Sequence, residues 1–204
     1  MREHQPLHIK VRPVLRSRLG KLLIGVAIFE VGYVAAALLI LRATQLLTLT
    51  LGLNSATQIA LLLYAGYNAA ATLASVPAGR VGDRSSMTLV LTIGFGLFML
   101  AYLGFAVQFP GVLLLTLSFS LAVIAIGCIE TSQHASVASL APTELRGSAF
   151  GFLTAVQSFG NIVASAIAGA LWTLFSPTVA FPYLAAWMLI SLGVLLRLTI
   201  RQSS

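Results

Sequence analysis

Of the chain's 204 residues, 58% are hydrophobic and only 8% charged, against roughly 25% charged in an ordinary soluble domain. With a mean hydropathy of +0.97 and a formal net charge of +7, this is the composition of a membrane protein. The basic residues flank apolar segments instead of lining a soluble face, so lipid headgroups are the expected counter-charge and no nucleic acid is expected as partner. A single cysteine, Cys128, rules out an internal disulfide and a Cys-based metal site. Its default role is that of a small buried apolar side chain. No cofactor and no metal are expected.

Residues 1–21 carry Arg2, Lys10, Arg12, Arg16, Arg18 and Lys21 against the single acid Glu3, a juxtamembrane segment suited to lie on anionic headgroups. His4 and His8 have helical ligand spacing, but Pro6 lies between them and no third ligand is near. The first apolar run, Leu22 to Leu41, is longer than the core of a signal peptide and carries Glu30 in its middle. It reads as a retained span. Glu30 lies roughly 13 Å into that helix at 1.5 Å per residue, near mid-membrane and out of snorkelling reach. An ionised carboxylate at that depth costs several kcal/mol unless paired. Two readings stand side by side: a protonatable group coupled to turnover, or a neutral acid bonded to Tyr33, Asn68 or a group on another chain.

Five more apolar stretches follow, at residues 57–76, 87–107, 112–132, 149–172 and 179–198, each near the ~20 residues a helix needs to cross the hydrocarbon. The expected organisation is all-α: a basic segment 1–21, a six-helix membrane domain 22–200 and a tail 201–204. Between the second and third spans, Ala78 to Ser86 packs Arg80, Asp83 and Arg84 into five residues, a cluster that belongs in water. Gly79 and Gly82 suit a tight reversal there, Pro77 limits the helix before it, and Asp83 suits a cap on the helix after it. Eleven of the twelve Lys and Arg residues fall on one side if the N-terminus is cytoplasmic. Only Arg42 falls outside, so both termini are expected in the cytoplasm of a cell whose inner, plasma membrane holds the chain.

Two stretches carry a family resemblance. The pattern Gly79-x-x-x-Asp83-Arg84 between two spans resembles the cytoplasmic loop signature of the major facilitator superfamily, in the copy found in the second half of those transporters. The segment IETSQHASVASLAPTELRGSAFGFLTAVQSFG, with Pro142, Glu144, Arg146 and Gly147, resembles the junction between their tenth and eleventh helices. LLILRA, residues 38–43, is similarly placed to the seventh helix of some members. The family pattern continues its loop with glycine and basic residues where this chain has Ser85, Ser86 and Met87.

The resemblance implies one six-helix half of an alternating-access transporter for a small solute, its first, second, fourth and fifth spans lining a cavity and its third and sixth facing lipid. It implies a missing N-terminal half as partner, or self-association as a dimer. Glu30, Asn68, Gln157 and Asn161 are the candidates for the substrate or proton pathway. Gln157 and Asn161, one turn apart on the fifth span, suit an interhelical hydrogen bond as well as substrate contact. Gly79, Arg80, Asp83, Arg84, Glu130 and Arg146 are the candidates for a cytoplasmic gate and charge network, with Glu130 pairing with one of the arginines and His134 at the interface. The other class in view is a six-span scaffold or regulatory subunit that transports nothing. An enzyme is not expected. There is no His-Glu-x-x-His motif, Asp83 is the lone aspartate, and no Gly-x-Ser-x-Gly context frames a serine.

Overall fold

The computed structural model describes residues 18–84, 86–108 and 111–200. The expected basic segment before residue 18, with His4 and His8, and the tail 201–204 lie outside the described residues. Within them the chain is all-helical: α1 (Arg18–Glu30), α2 (Ala36–Leu51), α3 (Leu53–Arg84), α4 (Met87–Ala106), α5 (Val112–Leu140), α6 (Arg146–Leu174) and α7 (Pro177–Ile200), with a short 3-10 turn at Thr143–Leu145. The chain is a polytopic membrane protein. Five of these helices, α3 to α7, are long and apolar enough to cross a membrane by themselves.

The first span departs from the sequence expectation. Instead of one helix from Leu22 to Leu41, α1 stops at Glu30 and α2 begins at Ala36. The break has a packing reason, because the two pieces lie on different neighbours: α1 packs on α6, α7 and α5, and α2 on α3 and α4. At 13 and 16 residues, the pieces are about 20 and 24 Å long at 1.5 Å per residue. The break therefore falls near the middle of the bilayer.

The 78–86 reversal is also corrected. Helix α3 continues through Pro77, Gly79 and Gly82 to Arg84, so residues 78–84 of the expected loop are helical. Continuous helix satisfies the backbone internally, which matters more in lipid than in water and outweighs the bond lost at one proline. The cap of α4 is Ser86, whose hydroxyl accepts from the Leu89 amide at 3.1 Å, not Asp83. The side chains of Asp83 and Arg84 lie outside the described residues.

An aromatic core holds the bundle. Phe29 and Phe95 stack at 4.7 Å, Phe98 meets Tyr102 edge-on at 5.0 Å, and Phe105 meets Phe119 edge-on at 5.1 Å. These contacts join α1, α4 and α5, and Phe181 of α7 stacks on Phe105 at 5.6 Å. Such pairs contribute about 0.5–1.5 kcal/mol beyond their area, and between helices in lipid close packing replaces the hydrophobic drive. Gly94 of α4 sits against Ile129 and Cys128 of α5, and Gly127 of α5 against Ala74 of α3, so backbones approach where side chains would block them. Cys128 is buried with Ala78 and Val90, a packing residue as expected.

Helix α4, expected to face lipid, does so along one stripe only, with Leu89, Ile93, Leu100 and Leu103 exposed. Its other face is among the best buried in the molecule, against α5 and α7. Among the five long helices, α3 and α6 are the most exposed and α5 the best buried.

Candidate functional site

The break after α1 frees backbone groups that an unbroken helix would pair, and in hydrocarbon each must find a partner. Four side chains from three helices meet them. Trp187 of α7 donates its indole N–H to the Ile28 carbonyl at 2.6 Å. Tyr102 of α4 donates its hydroxyl to the Gly32 carbonyl at 3.1 Å and accepts the Val34 amide at 3.3 Å. From α6, Asn161 donates its amide to the Tyr33 carbonyl at 2.9 Å, and the Ser165 hydroxyl accepts the Ala35 amide at 2.9 Å. Gly32 lies so close to Trp187 and Met188 that no Cβ fits there. The non-helical backbone is therefore fixed by tertiary contacts.

That clamp sets Glu30, the last residue of α1, at the floor of a polar cavity of about 330 Å³. Glu30 is 3% exposed and Gln133 of α5 is 0% exposed, while Glu130, His134 and Ser158 stand exposed at the rim. The lining comes from three elements: Glu30 and Tyr33 from the first span, Ile126, Ile129, Glu130, Gln133 and His134 from α5, and Gln157, Ser158 and Asn161 from α6. The α5 positions follow a three- and four-residue spacing, so they share one helix face. Gln157 donates its amide to the Gln133 side-chain oxygen at 2.7 Å. The remaining Gln133 amide nitrogen is buried without a hydrogen bond of ordinary geometry, and it lies against the Glu30 carboxylate.

Three of the four pathway candidates, Glu30, Gln157 and Asn161, come together here. Asn68 does not: it is exposed on α3 and donates to the Tyr64 carbonyl of its own helix at 2.9 Å. No residue of α3 lines the cavity. Gln157 and Asn161 do make interhelical hydrogen bonds, to Gln133 and to the broken backbone rather than to each other.

The gate candidates disperse. Glu130 lines the same cavity as Glu30, because α5 runs on to Leu140 and leaves Glu130 about 15 Å short of that helix end at 1.5 Å per residue. Among the described residues no ion pair joins it to Arg80 or Arg146; the nearest ring is that of His134, one turn on. His134, read as interfacial from the sequence, sits on the cavity rim, stacked on Phe150 at 5.8 Å, and its Nδ1 lies 2.8 Å from the Glu130 carbonyl. Arg80 and Arg146 are exposed. Gly79 is a packing position, with space for a Cβ at 3.7 Å from Thr131 of α5. Sequence reasoning missed Gln133. The signal was its place one turn after Glu130 in IETSQH, on the face that Ile126 and Ile129 also share.

The Major Facilitator Superfamily model matches residues 21–204. The chain belongs to the major facilitator superfamily. It is 34% identical over 170 residues to an uncharacterised MFS-type transporter of Methanocaldococcus jannaschii, a match that covers 83% of this chain and 42% of the relative. Among solved structures, the peptide transporter POT in complex with sulfate aligns with a TM-score of 0.71 at 20% identity, covering 88% of this chain and 37% of that one. A mutant of the same transporter with sulfate aligns with a TM-score of 0.69 at 18% identity over the same shares. At these identities the likeness to the solved structures concerns the fold. The chain spans less than half the length of these relatives.

Proposed function

We propose that this chain forms one six-helix half of a secondary transporter that moves a small solute by alternating access, with the Glu30 cavity as its share of the central site. One observation carries this reading: a helix broken near mid-membrane that ends on a buried carboxylate inside a polar cavity. Discontinuous helices at the midplane are where secondary transporters hold substrate and coupling ion, and a scaffold has no use for a buried acid facing open space at that depth. Glu30 is the coupling group, alternating between protonated and ionised forms as the cavity changes sides. The exposed apolar faces of α3 and α6 receive the partner body, either an N-terminal half or a second copy related by an axis along the membrane normal. The charge asymmetry supports a topology with both termini in the cytoplasm, the chain lying in the plasma membrane.

The test is flux in liposomes that hold the assembled transporter and a pH-sensitive dye, screened with pools of sugars, amino acids, amines and organic acids. A solute that carries protons with the unaltered protein should still exchange in Glu30→Gln but no longer move protons. Equal loss of both activities, or of neither, overturns the coupling role, and absence of flux for every pool overturns the transport reading.

A further inference from the structure

The cavity is one-sided in charge. Two carboxylates, Glu30 and Glu130, line it, and among the described residues no lysine or arginine does. Its other polar groups are neutral amides and hydroxyls, apart from His134 at the rim. An anion would meet two carboxylates there, and among the described residues of this half no lysine or arginine offsets them. A neutral solute would leave the buried Glu30 without a counter-charge whenever it ionises, which is costly at that depth. The Gln133 amide is a donor placed beside the Glu30 carboxylate, suited to the ionised acid and not to the N–H groups of a cation. It is fully buried, its oxygen is committed to Gln157, and its nitrogen has no partner of ordinary geometry beside the Glu30 carboxylate.

Resting on the transporter reading, we propose that the solute is an organic cation bearing N–H donors, such as a protonated amine, and that it replaces the proton of Glu30 one for one. The cation supplies the counter-charge that this half of the site lacks among its described residues, so the carboxylate holds either a proton or the cation. On binding, the Glu30 O–H bond breaks, the proton leaves past Glu130 and His134 to water, and the ammonium group pairs with the carboxylate. Charge in the site is unchanged. The titratable groups facing Glu30 are Tyr33 beside it, Tyr102 of α4, and Glu130 and His134 of α5. Helix α6 contributes only Gln157, Ser158 and Asn161, and α7 lines none of the cavity. At about 330 Å³ the described part of the cavity has room for a ring-bearing amine.

Three probes with one ring and different charge test this: naphthylmethylamine, naphthylmethanol and naphthoate, added to the purified, assembled protein in weakly buffered detergent. The amine should raise the melting temperature and bind at least about tenfold more tightly than the alcohol or the acid. It should release about one proton per molecule bound, and both effects should vanish in Glu30→Gln. Equal or tighter binding of naphthoate or the alcohol, or amine binding without proton release, overturns the proposal. Should Glu30→Gln fail to purify, the charge ranking and proton release of the unaltered protein still decide. Amine binding with proton release but no flux in liposomes would instead sink the transport reading and leave the site assignment standing.

Discussion

Gly160 of α6 and Glu30 of α1 are in backbone contact. A Cβ at position 160 would collide with the Glu30 Cβ and lie 3.1 Å from its carbonyl carbon and 3.2 Å from its Cα. Because the near atoms are backbone, α1 and α6 must part for any side chain to enter, and the carboxylate would leave the cavity floor. Gly160→Ala should cost about 1–3 kcal/mol, the range for overpacking, and should lower transport more than the stability loss explains. Gly151→Ala, with nothing within 4 Å of its Cβ site, should change neither by more than about 0.5 kcal/mol. Thermal melts in detergent beside flux in liposomes check both.

Tyr102 is completely buried and serves both sides of the break. Tyr102→Phe keeps the ring against Phe98 and removes only the hydroxyl, leaving the Gly32 carbonyl and the Val34 amide unpaired in a dry interior. The expected loss is about 1–3 kcal/mol, concentrated in residues 31–35. Hydrogen exchange should show the Val34 amide opening while α5 stays protected; uniform loosening of the bundle would contradict a local role.

These two residues also show how far the sequence could be read. Fold class, the five long spans and the depth of Glu30 follow from the apolar run lengths, because a span of about 20 apolar residues has few alternatives in lipid. The break at 31–35 left no such mark. VGYVAAA contains no proline, and what holds it open are Tyr102, Asn161, Ser165 and Trp187, as far as 159 positions away in sequence. Pro77 misled in the opposite direction, since a proline that stops a helix in water is carried through in a membrane helix packed on its neighbour. Gln133 was overlooked for another reason. Its meaning comes from Gln157 and Glu30, which only the packing of α1, α5 and α6 brings beside it.

Arg42 is the one basic residue that the expected topology leaves on the opposite side, and its surroundings account for the exception. It is 5% exposed, and its guanidinium donates to the Phe105 carbonyl at 2.9 Å and the Val107 carbonyl at 3.2 Å. It thus caps the C-terminal end of α4, where unpaired carbonyls and the negative end of the dipole favour a cation. Arg42→Ala should destabilise by about 2–4 kcal/mol yet leave topology unchanged. Reporter fusions at Gln108 should read outside, and those at Ser204 and in the 80–86 region inside, with or without the substitution. A reversed reading in Arg42→Ala would make the residue an orienting charge instead of a cap.

Gln133 separates stability from function. If its amide served only packing, Gln133→Leu would be close to neutral or stabilising, since Leu fills similar volume without a polar group to bury. The one structural penalty is the Gln157 amide, which loses its acceptor at 2.7 Å but is only half-buried and can turn toward the cavity. A net change within about 1 kcal/mol is therefore expected. Transport should nonetheless fall at least about tenfold, because the amide donor beside the Glu30 carboxylate is gone when the acid ionises. Gln133→Glu should fail differently, placing a third acid in the cavity and raising the cost of ionising Glu30. Melting temperature and initial flux rate, measured on the same preparations, make the comparison. Normal flux in Gln133→Leu would return the residue to a packing role.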